Sequence, residues 1–481
     1  MEMIERLAYY GVRQMSALYA TEPVSRGGLG ITASQLGDIF LVWALVQTWV
    51  PFLTGGLSDR IGYKVTIFLA TLLKITGYLV MANFASYWGF MAAALIVAFG
   101  TGIFKPGIQG TIVKATNRKN SSMAWGVFYQ TVNIGGWIGI VLAAQLRQYD
   151  WNLVFYGCAG VIALNLLLLA TYKEPGKEER QKRLNSIKNG QTHDRGLVRE
   201  TIKALLNPLI LWYILLFSGF WFSLYAMWDV GSLYIRDWVD TRPLITALFG
   251  ADGTQSSFWI FVLGLNKDGQ SMQPEGVIGL NYMFIMLTCF IVAGLGAKLR
   301  ATTAMWFGTF LASAALLAFG GFNSIWILVA AIVCFSLGEM LSSPKSSEYL
   351  GNIAPHHQKA MFIGFTQVPI GFGWVLESKL APMLYGIYGA KETVARQALD
   401  KLGFDGEALS AIPNGEAFDY LAAQTGMSAD VLTAQLYAAN GIGTMWYIVG
   451  IVGLISALGM FAYGGWTYRM VVTERVLQPA V

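Results

Sequence analysis

Charge is scarce in this chain. Asp, Glu, Lys and Arg make up 13% of its 481 residues, where a typical soluble domain carries about 25%. Hydrophobic residues make up 55% and the mean hydropathy is +0.50. A soluble fold of this length could not hide that much apolar surface, whereas a bilayer would solvate it. Cysteine and histidine are rarer still, with three of each. Cys158, Cys289 and Cys334 lie singly in apolar stretches with no CxxC pair, so they read as small buried hydrophobes. His193, His356 and His357 fall in loops without metal-ligand spacing. No nucleophile–base set stands out, so neither a metal site nor an enzyme is expected. No GxxxxGK[ST] loop is present, which argues against nucleotide as the energy source. Long basic runs interleaved with aromatics are absent too. The net charge of +5 comes from short loops between apolar segments, a pattern that orients a membrane protein and gives no reason to expect nucleic acid.

What is present is a series of mostly apolar segments, about twelve in all, each near the roughly 20 residues that a spanning helix needs. In the first half they are 1–21, 37–55, 64–84, 86–110, 122–145 and 151–172. In the second half they are 208–237, 277–297, 303–321, 324–343, 359–386 and 444–469. The first segment is the least apolar. Its charges are the wrong chemistry for a signal peptide, and the chain opens inside what reads as a helix, so a short polar segment is expected upstream.

Between the halves runs a basic linker at 173–207, with Lys173, Lys177, Arg180, Lys182, Arg183, Lys188, Arg195, Arg199 and Lys203. The positive-inside rule places it in the cytoplasm, together with the loops holding Asp59–Arg60–Lys64, Lys114–Arg118–Lys119 and Lys298–Arg300. Both termini then face the cytoplasm of a multi-pass cell-membrane protein. An extracytoplasmic insert is expected at about 387–443, where acids outnumber bases and 391–402, 415–425 and 428–438 show weak helical periodicity. The apolar pieces of a second outer excursion, 238–276, are too short to cross. The reading is an all-α membrane protein of two six-helix halves, 1–172 and 208–481, a layout that suggests the major facilitator fold with its substrate site between the halves.

Charges at membrane depth single out candidate site residues, because each costs roughly 2.5–3.5 kcal/mol on insertion scales. Glu2, Glu5, Arg6, Tyr9 and Arg13 recur at helical spacing and form one polar stripe on the first segment. An amphipathic helix lying on the membrane would show the same stripe. Lys105 sits inside the fourth segment beside Pro106, where a lysine snorkelling to the interface is the bland alternative. Glu339 lies in the tenth segment, and glutamate is too short to snorkel well. Lys74, in the middle of the third, has no evident role beyond an ion pair. Acids and cations lining one cavity suit a zwitterionic substrate. A carboxylate whose cation partner leaves can bind a proton.

The sequence resembles the proton-dependent oligopeptide transporter family of the major facilitator superfamily. Glu2, Glu5, Arg6, Tyr9, Tyr10, Gly11 and Arg13 match the first-helix ExxER signature. Gly55, Leu57, Asp59, Arg60, Gly62 and Lys64 look like the superfamily's gating brace. Gly102, Lys105 and Pro106 match the fourth helix, Phe128, Tyr129, Asn133, Ile134 and Gly135 the fifth, Leu280 and Asn281 the eighth, and Glu339, Ser343, Pro344, Ala354 and Pro355 the tenth. The resemblance implies a proton-coupled symporter importing di- or tripeptides, with the proton as coupling ion and no cofactor, acting as a monomer. Arg13 and Lys105 would hold the peptide carboxylate. Glu339, Asn133 and Asn281 would hold its amine, and Tyr9 would line the cavity. Glu2 and Glu5, beside Arg6 and Lys105, would couple the proton. Two positions depart from the family pattern. In the seventh helix Phe220-Trp221 is followed by Ser223, Leu224 and Tyr225, with Asp229 the nearest acid. In the eleventh, Gly364 is followed by Phe365, Thr366 and Gln367. These departures leave a transporter of another small solute (nucleoside, amino acid or drug) as the alternative. A transport-like sensor would want a long tail after Trp466, and the tail is short.

Overall fold

The structure is a computed structural model that describes residues 1–116, 121–188, 203–354, 362 and 364–477. Several residues considered above lie outside that set: Arg118, Lys119, His193, Arg195, Arg199, Pro355, His356 and His357. Among the described residues there is no strand beyond one isolated bridge, Leu265 to Met272. Twelve helices among the described residues have 20 residues or more: α1 (Glu2–Thr21), α2 (Ala33–Ile61), α3 (Tyr63–Asn83), α4 (Tyr87–Ala115), α5 (Ser121–Arg147), α6 (Trp151–Thr171), α8 (Pro208–Trp238), α11 (Pro274–Gly296), α12 (Ala301–Gly321), α13 (Ile325–Ile353), α14 (Gln367–Tyr388) and α19 (Thr444–Leu477). Shorter helices are α7 (Lys177–Lys188), α9 (Arg242–Phe249), α10 (Ser257–Val262), α15 (Lys391–Lys401), α16 (Gly406–Ala411), α17 (Ala417–Thr425) and α18 (Ala429–Ala439).

Nine of the twelve are long and apolar enough to cross a membrane. Charges lower the hydropathy of α1, which carries Glu2, Glu5, Arg6 and Arg13, and of α14, which carries Glu377 and Lys379. Helix ends follow local chemistry. Thr32 and Gln35 form a capping box at the start of α2, and Asn207 caps α8 with Pro208 following it. Ser86 and Asp150 cap α4 and α6. At Gly62 the chain takes φ 105°, which ends α2 and starts α3 in one residue. The segment after α6 closes on that corner: Tyr63 N donates to Glu174 at 2.7 Å, Lys64 Nζ donates to the Tyr172 carbonyl at 2.9 Å, and Arg180 pairs with Glu174. Arg60 is exposed; the side chains of Leu57 and Asp59 lie outside the described set.

The two halves repeat one packing pattern. In the first, α1 packs on α5 and α6, α2 on α4, and α3 on α4 and α6; in the second, α8 packs on α14 and α19, α11 on α13, and α12 on α13 and α19. The halves meet along α1–α8, α2–α14 and α5–α11, and no comparable seam joins α4 to α13 among the described residues. Large side chains such as Phe68, Leu167, Phe290, Ile291 and Leu458 are exposed on the outside of the bundle, where lipid and not water is their natural solvent. Inside membranes, small residues let helices approach closely. A Cβ on Gly139 would collide with the Leu7 carbonyl of α1, and one on Gly373 with the Ser218 carbonyl of α8. Gly139→Ala is therefore expected to destabilise by roughly 1–3 kcal/mol, the cost of overpacking. Gly160→Ala, facing open space, should leave the melting temperature of the purified protein unchanged; equal effects would contradict this packing.

Helices α15–α18 cover one end of the bundle. They are tied to the second half by Lys391 N donating to Asp237 Oδ2 at 3.3 Å and by the Tyr234 and Tyr437 hydroxyls at 3.1 Å. They also reach the first half, where Ser25 Oγ donates to Glu416 at 2.6 Å, Arg26 pairs with Asp419, and Asn414 Nδ2 donates to the Gly30 carbonyl at 2.7 Å. Beneath them lies a cavity of about 710 Å³ lined by Arg26, Arg147, Arg236, Asp237, Lys391 and Asp419 among others.

Candidate functional site

The polar stripe of α1 is buried in the bundle: Glu2, Glu5, Arg6, Tyr9 and Arg13 are all buried. Arg6 pairs with Glu2 at 3.2 Å and with one Glu5 oxygen, and Lys74 of α3 pairs with the other. Glu5 and Lys74 are both 0% exposed. The four ion-paired groups, two acids and two cations, sum to zero charge, which eases their burial at this depth, and Lys105 is a further cation within electrostatic reach of them. The Arg6 guanidinium also lies over the rings of Tyr9 at 4.9 Å and Tyr10 at 5.6 Å. Glu2 Oε2 and Arg6 Nη2 are buried without a hydrogen-bond partner among the described residues.

One to two turns along α1, Tyr9 donates to Gln47 Oε1 at 3.0 Å, an oxygen that also accepts from Trp43 Nε1 at 3.0 Å. Arg13 lies over the Phe40 ring at 3.8 Å, and its Nη2 pairs with Asp229 of α8 at 2.5 Å. That ion pair crosses between the halves. Between them is a small cavity of about 50 Å³, lined by Arg6, Tyr9, Arg13 and Lys105 from the first half and by Trp228, Asp229 and Tyr282 from the second. Pockets that enclose drug-sized ligands hold about 300–1,000 Å³, so this centre must widen before it can hold even a small solute. Lys105 has no ion-pair partner among the described residues.

Glu339 of α13 is also buried. It accepts from Asn281 Nδ2 of α11 at 3.3 Å, the same nitrogen lying 2.9 Å from Ser336 Oγ. Asn281 Oδ1 has no hydrogen-bond partner among the described residues. Asn133 of α5 donates to the Tyr129 carbonyl at 2.9 Å, and no hydrogen bond joins it to Glu339 or Asn281. The structure therefore brings Tyr9, Arg13 and Lys105 onto one cavity, joins Asn281 to Glu339, and clusters Glu2, Glu5 and Arg6 apart from any ion pair with Lys105.

Sequence reasoning gave Lys74 an ion pair without a partner, and gave no role to Asp229 or Glu377. Lys74 completes the Glu5 cluster. Asp229 engages Arg13. Glu377 of α14 is 0% exposed beside both of them. The signal that picked out Glu339, an acid inside an apolar run, is equally present at Asp229 and Glu377.

The sequence profile of the Major Facilitator Superfamily matches residues 7–377. The chain is 21% identical over 353 residues to the multidrug resistance protein MdtH of Edwardsiella ictaluri, covering 72% of this chain and 77% of that one. It is 26% identical over 229 residues to the peptide transporter YePEPT of Yersinia enterocolitica, covering 45% of this chain and 44% of that one. Among solved structures, the peptide transporter POT in complex with sulfate superposes with a TM-score of 0.65 at 17% identity, over 96% of this chain and 92% of that one. With a profile match over most of the chain and the same fold in a solved transporter, this chain belongs to the Major Facilitator Superfamily.

Proposed function

We propose that the chain is a proton-coupled symporter that brings small peptides, di- or tripeptides, across the cell membrane by alternating access. One observation carries the reading. Fixed cations, Arg13 and Lys105, lie on the cavity from the first half, while the second half holds an amide-bound carboxylate, Glu339, and the neighbouring Glu5 is clamped between two cations. A peptide has a carboxylate at one end and an ammonium at the other, so it complements both halves at once. Its carboxylate would take the place of Asp229 on Arg13, exchanging one charge-assisted bond for another and freeing the α1–α8 ion pair as it binds. Tyr9, Asn133 and Asn281 would complete the site. Glu2, Glu5, Arg6 and Lys105 would serve proton coupling, and Gly55, Asp59, Arg60, Gly62 and Lys64 the gating brace. The likeness to two peptide transporters, YePEPT in sequence and POT in fold, agrees with a peptide as substrate.

The same reading divides the chain into 1–172, a linker at 173–207 and 208–481, with the insert at about 387–443 outside, both termini inside, and a monomer as the working unit. A cysteine placed at exposed Ser410 should react with an impermeant maleimide in intact cells, and one at exposed Lys182 should not; the opposite labelling would invert the topology. A second reading, transport of a drug or another small solute, is favoured by the match to MdtH, which covers more of the chain than the match to YePEPT. Uptake of labelled dialanine, competed by a nucleoside and by an excess of dipeptide, separates the two. Competition by dipeptide alone supports the peptide reading; no dialanine uptake contradicts it.

A further inference from the structure

Helix α14 packs against α2 and α8 and carries Glu377 in the middle of its apolar run. The side chain is fully buried, and neither carboxyl oxygen has a hydrogen-bond donor in reach among the described residues. What it faces is another carboxyl, that of Asp229, within hydrogen-bonding contact. Asp229 from α8 and Arg13 from α1 are the charged groups facing Glu377. The other charged pair of the α2–α14 seam, Lys379 and Asp38, is partly exposed and satisfied by its own partner.

Arg13 gives its Nη2 to Asp229 Oδ2 at 2.5 Å, so one guanidinium stands against two acids. If both acids were ionised, a negative charge would be buried without compensation, a state that proteins resolve by protonation. Two carboxyls also cannot bond to each other unless one holds a hydrogen. Asp229, holding the cation, is the member that stays ionised. Glu377, holding none, is the member that takes the hydrogen.

We propose that Glu377 is a proton-binding site: one of its oxygens carries a proton and donates it in a hydrogen bond to the Asp229 carboxylate, which remains paired with Arg13. As a proton site this stands on the geometry of the three side chains; its part in coupling rests on the symporter reading. When Arg13 leaves Asp229 for a substrate carboxylate, the acid pair loses its cation and takes a second proton from water. Re-forming the ion pair expels it. One O–H bond forms and one breaks in each round, with no electron transferred. The α14 acid thus lets Asp229 exchange a proton without ever facing an ionised neighbour.

The test is infrared difference spectroscopy on the purified full chain in lipid nanodiscs at neutral pH, without substrate. The wild-type minus E377Q spectrum is expected to show the carbonyl stretch of a protonated carboxyl, sensitive to deuterium exchange, and no carboxylate bands. D229N should move that stretch upward, because its strong acceptor has gone. E377D, for the event that E377Q fails to fold, should displace the stretch without removing it. Carboxylate bands in the wild-type minus E377Q spectrum, or a stretch unmoved by D229N, would overturn the proposal. Because no substrate is present, the outcome is independent of peptide transport. A wild type that carries no dipeptide yet shows the protonated stretch sinks the transport reading alone, whereas dipeptide uptake accompanied by carboxylate bands sinks the proton site alone.

Discussion

Glu5→Gln is expected to abolish uphill accumulation of a labelled dipeptide and to leave counterflow in place. Glu5 is fully buried and gives one oxygen to Arg6 and the other to Lys74. A proton can reach it only when one of those cations moves away, which ties protonation to a rearrangement of α1 against its neighbours. Glutamine cannot take up a proton at this point of the cycle, so the gradient loses its grip. Exchange of substrate needs no net proton movement and persists. The substitution also leaves Arg6 and Lys74 facing Glu2 alone, and breaking a buried pair costs roughly 3–5 kcal/mol, so reduced stability is expected alongside. The double variant Glu5→Gln with Lys74→Met restores the local charge balance. It should recover thermal stability and counterflow but not accumulation. Measured in proteoliposomes, full gradient-driven accumulation by either variant would remove Glu5 from proton coupling.

Blocking either end of the peptide is expected to weaken competition for dipeptide uptake by about a hundredfold. The arithmetic starts from the penalty for a buried charge left without its partner, at least about 3 kcal/mol, which converts to roughly that factor in affinity. An N-acetylated dipeptide leaves Glu339 unmatched in a site where its neighbouring donor is the Asn281 amide. Glu339→Gln should therefore flatten the difference between free and acetylated peptide. A C-terminal amide leaves Arg13 without a replacement for Asp229, and Arg13→Ala should shrink the difference between free and amidated peptide. The measurement is inhibition of labelled dipeptide uptake by the three analogues in wild type and both variants. Equal competition by free and acetylated peptide in wild type would refute the amine grip and favour the drug or other-solute reading.

How far the sequence alone reaches differs between fold and site. Spanning helices declare themselves by apolar length, and the polar stripe Glu2–Glu5–Arg6–Tyr9–Arg13 by its spacing on one face. Even so, α1 and α14 are less apolar than the other spanning helices because they carry charges of the buried centre, Glu5, Arg6 and Arg13 on α1 and Glu377 on α14, so two segments nearest the site are ones hydropathy describes poorly. The internal repeat is invisible as identity between the halves. It emerges only in packing, where α1 on α5 is matched by α8 on α14, because a seam needs small residues and complementary shape more than particular side chains. Lys74 is visible as a charge in an apolar run, but its partner lies 69 residues away, a distance no periodicity spans. The partnership of Arg13 with Asp229 likewise depends on how the two halves meet, which local sequence does not encode.

Proteoliposomes holding the purified chain, loaded with buffer and given labelled dialanine outside with and without a pH gradient acid on the outside, test the central claim most directly. A proton-coupled peptide symporter accumulates dialanine above the outside concentration when the gradient is imposed, and loses that accumulation when a protonophore collapses it. Uptake that stops at equal concentrations with the gradient intact, or no dialanine uptake at all, would contradict it.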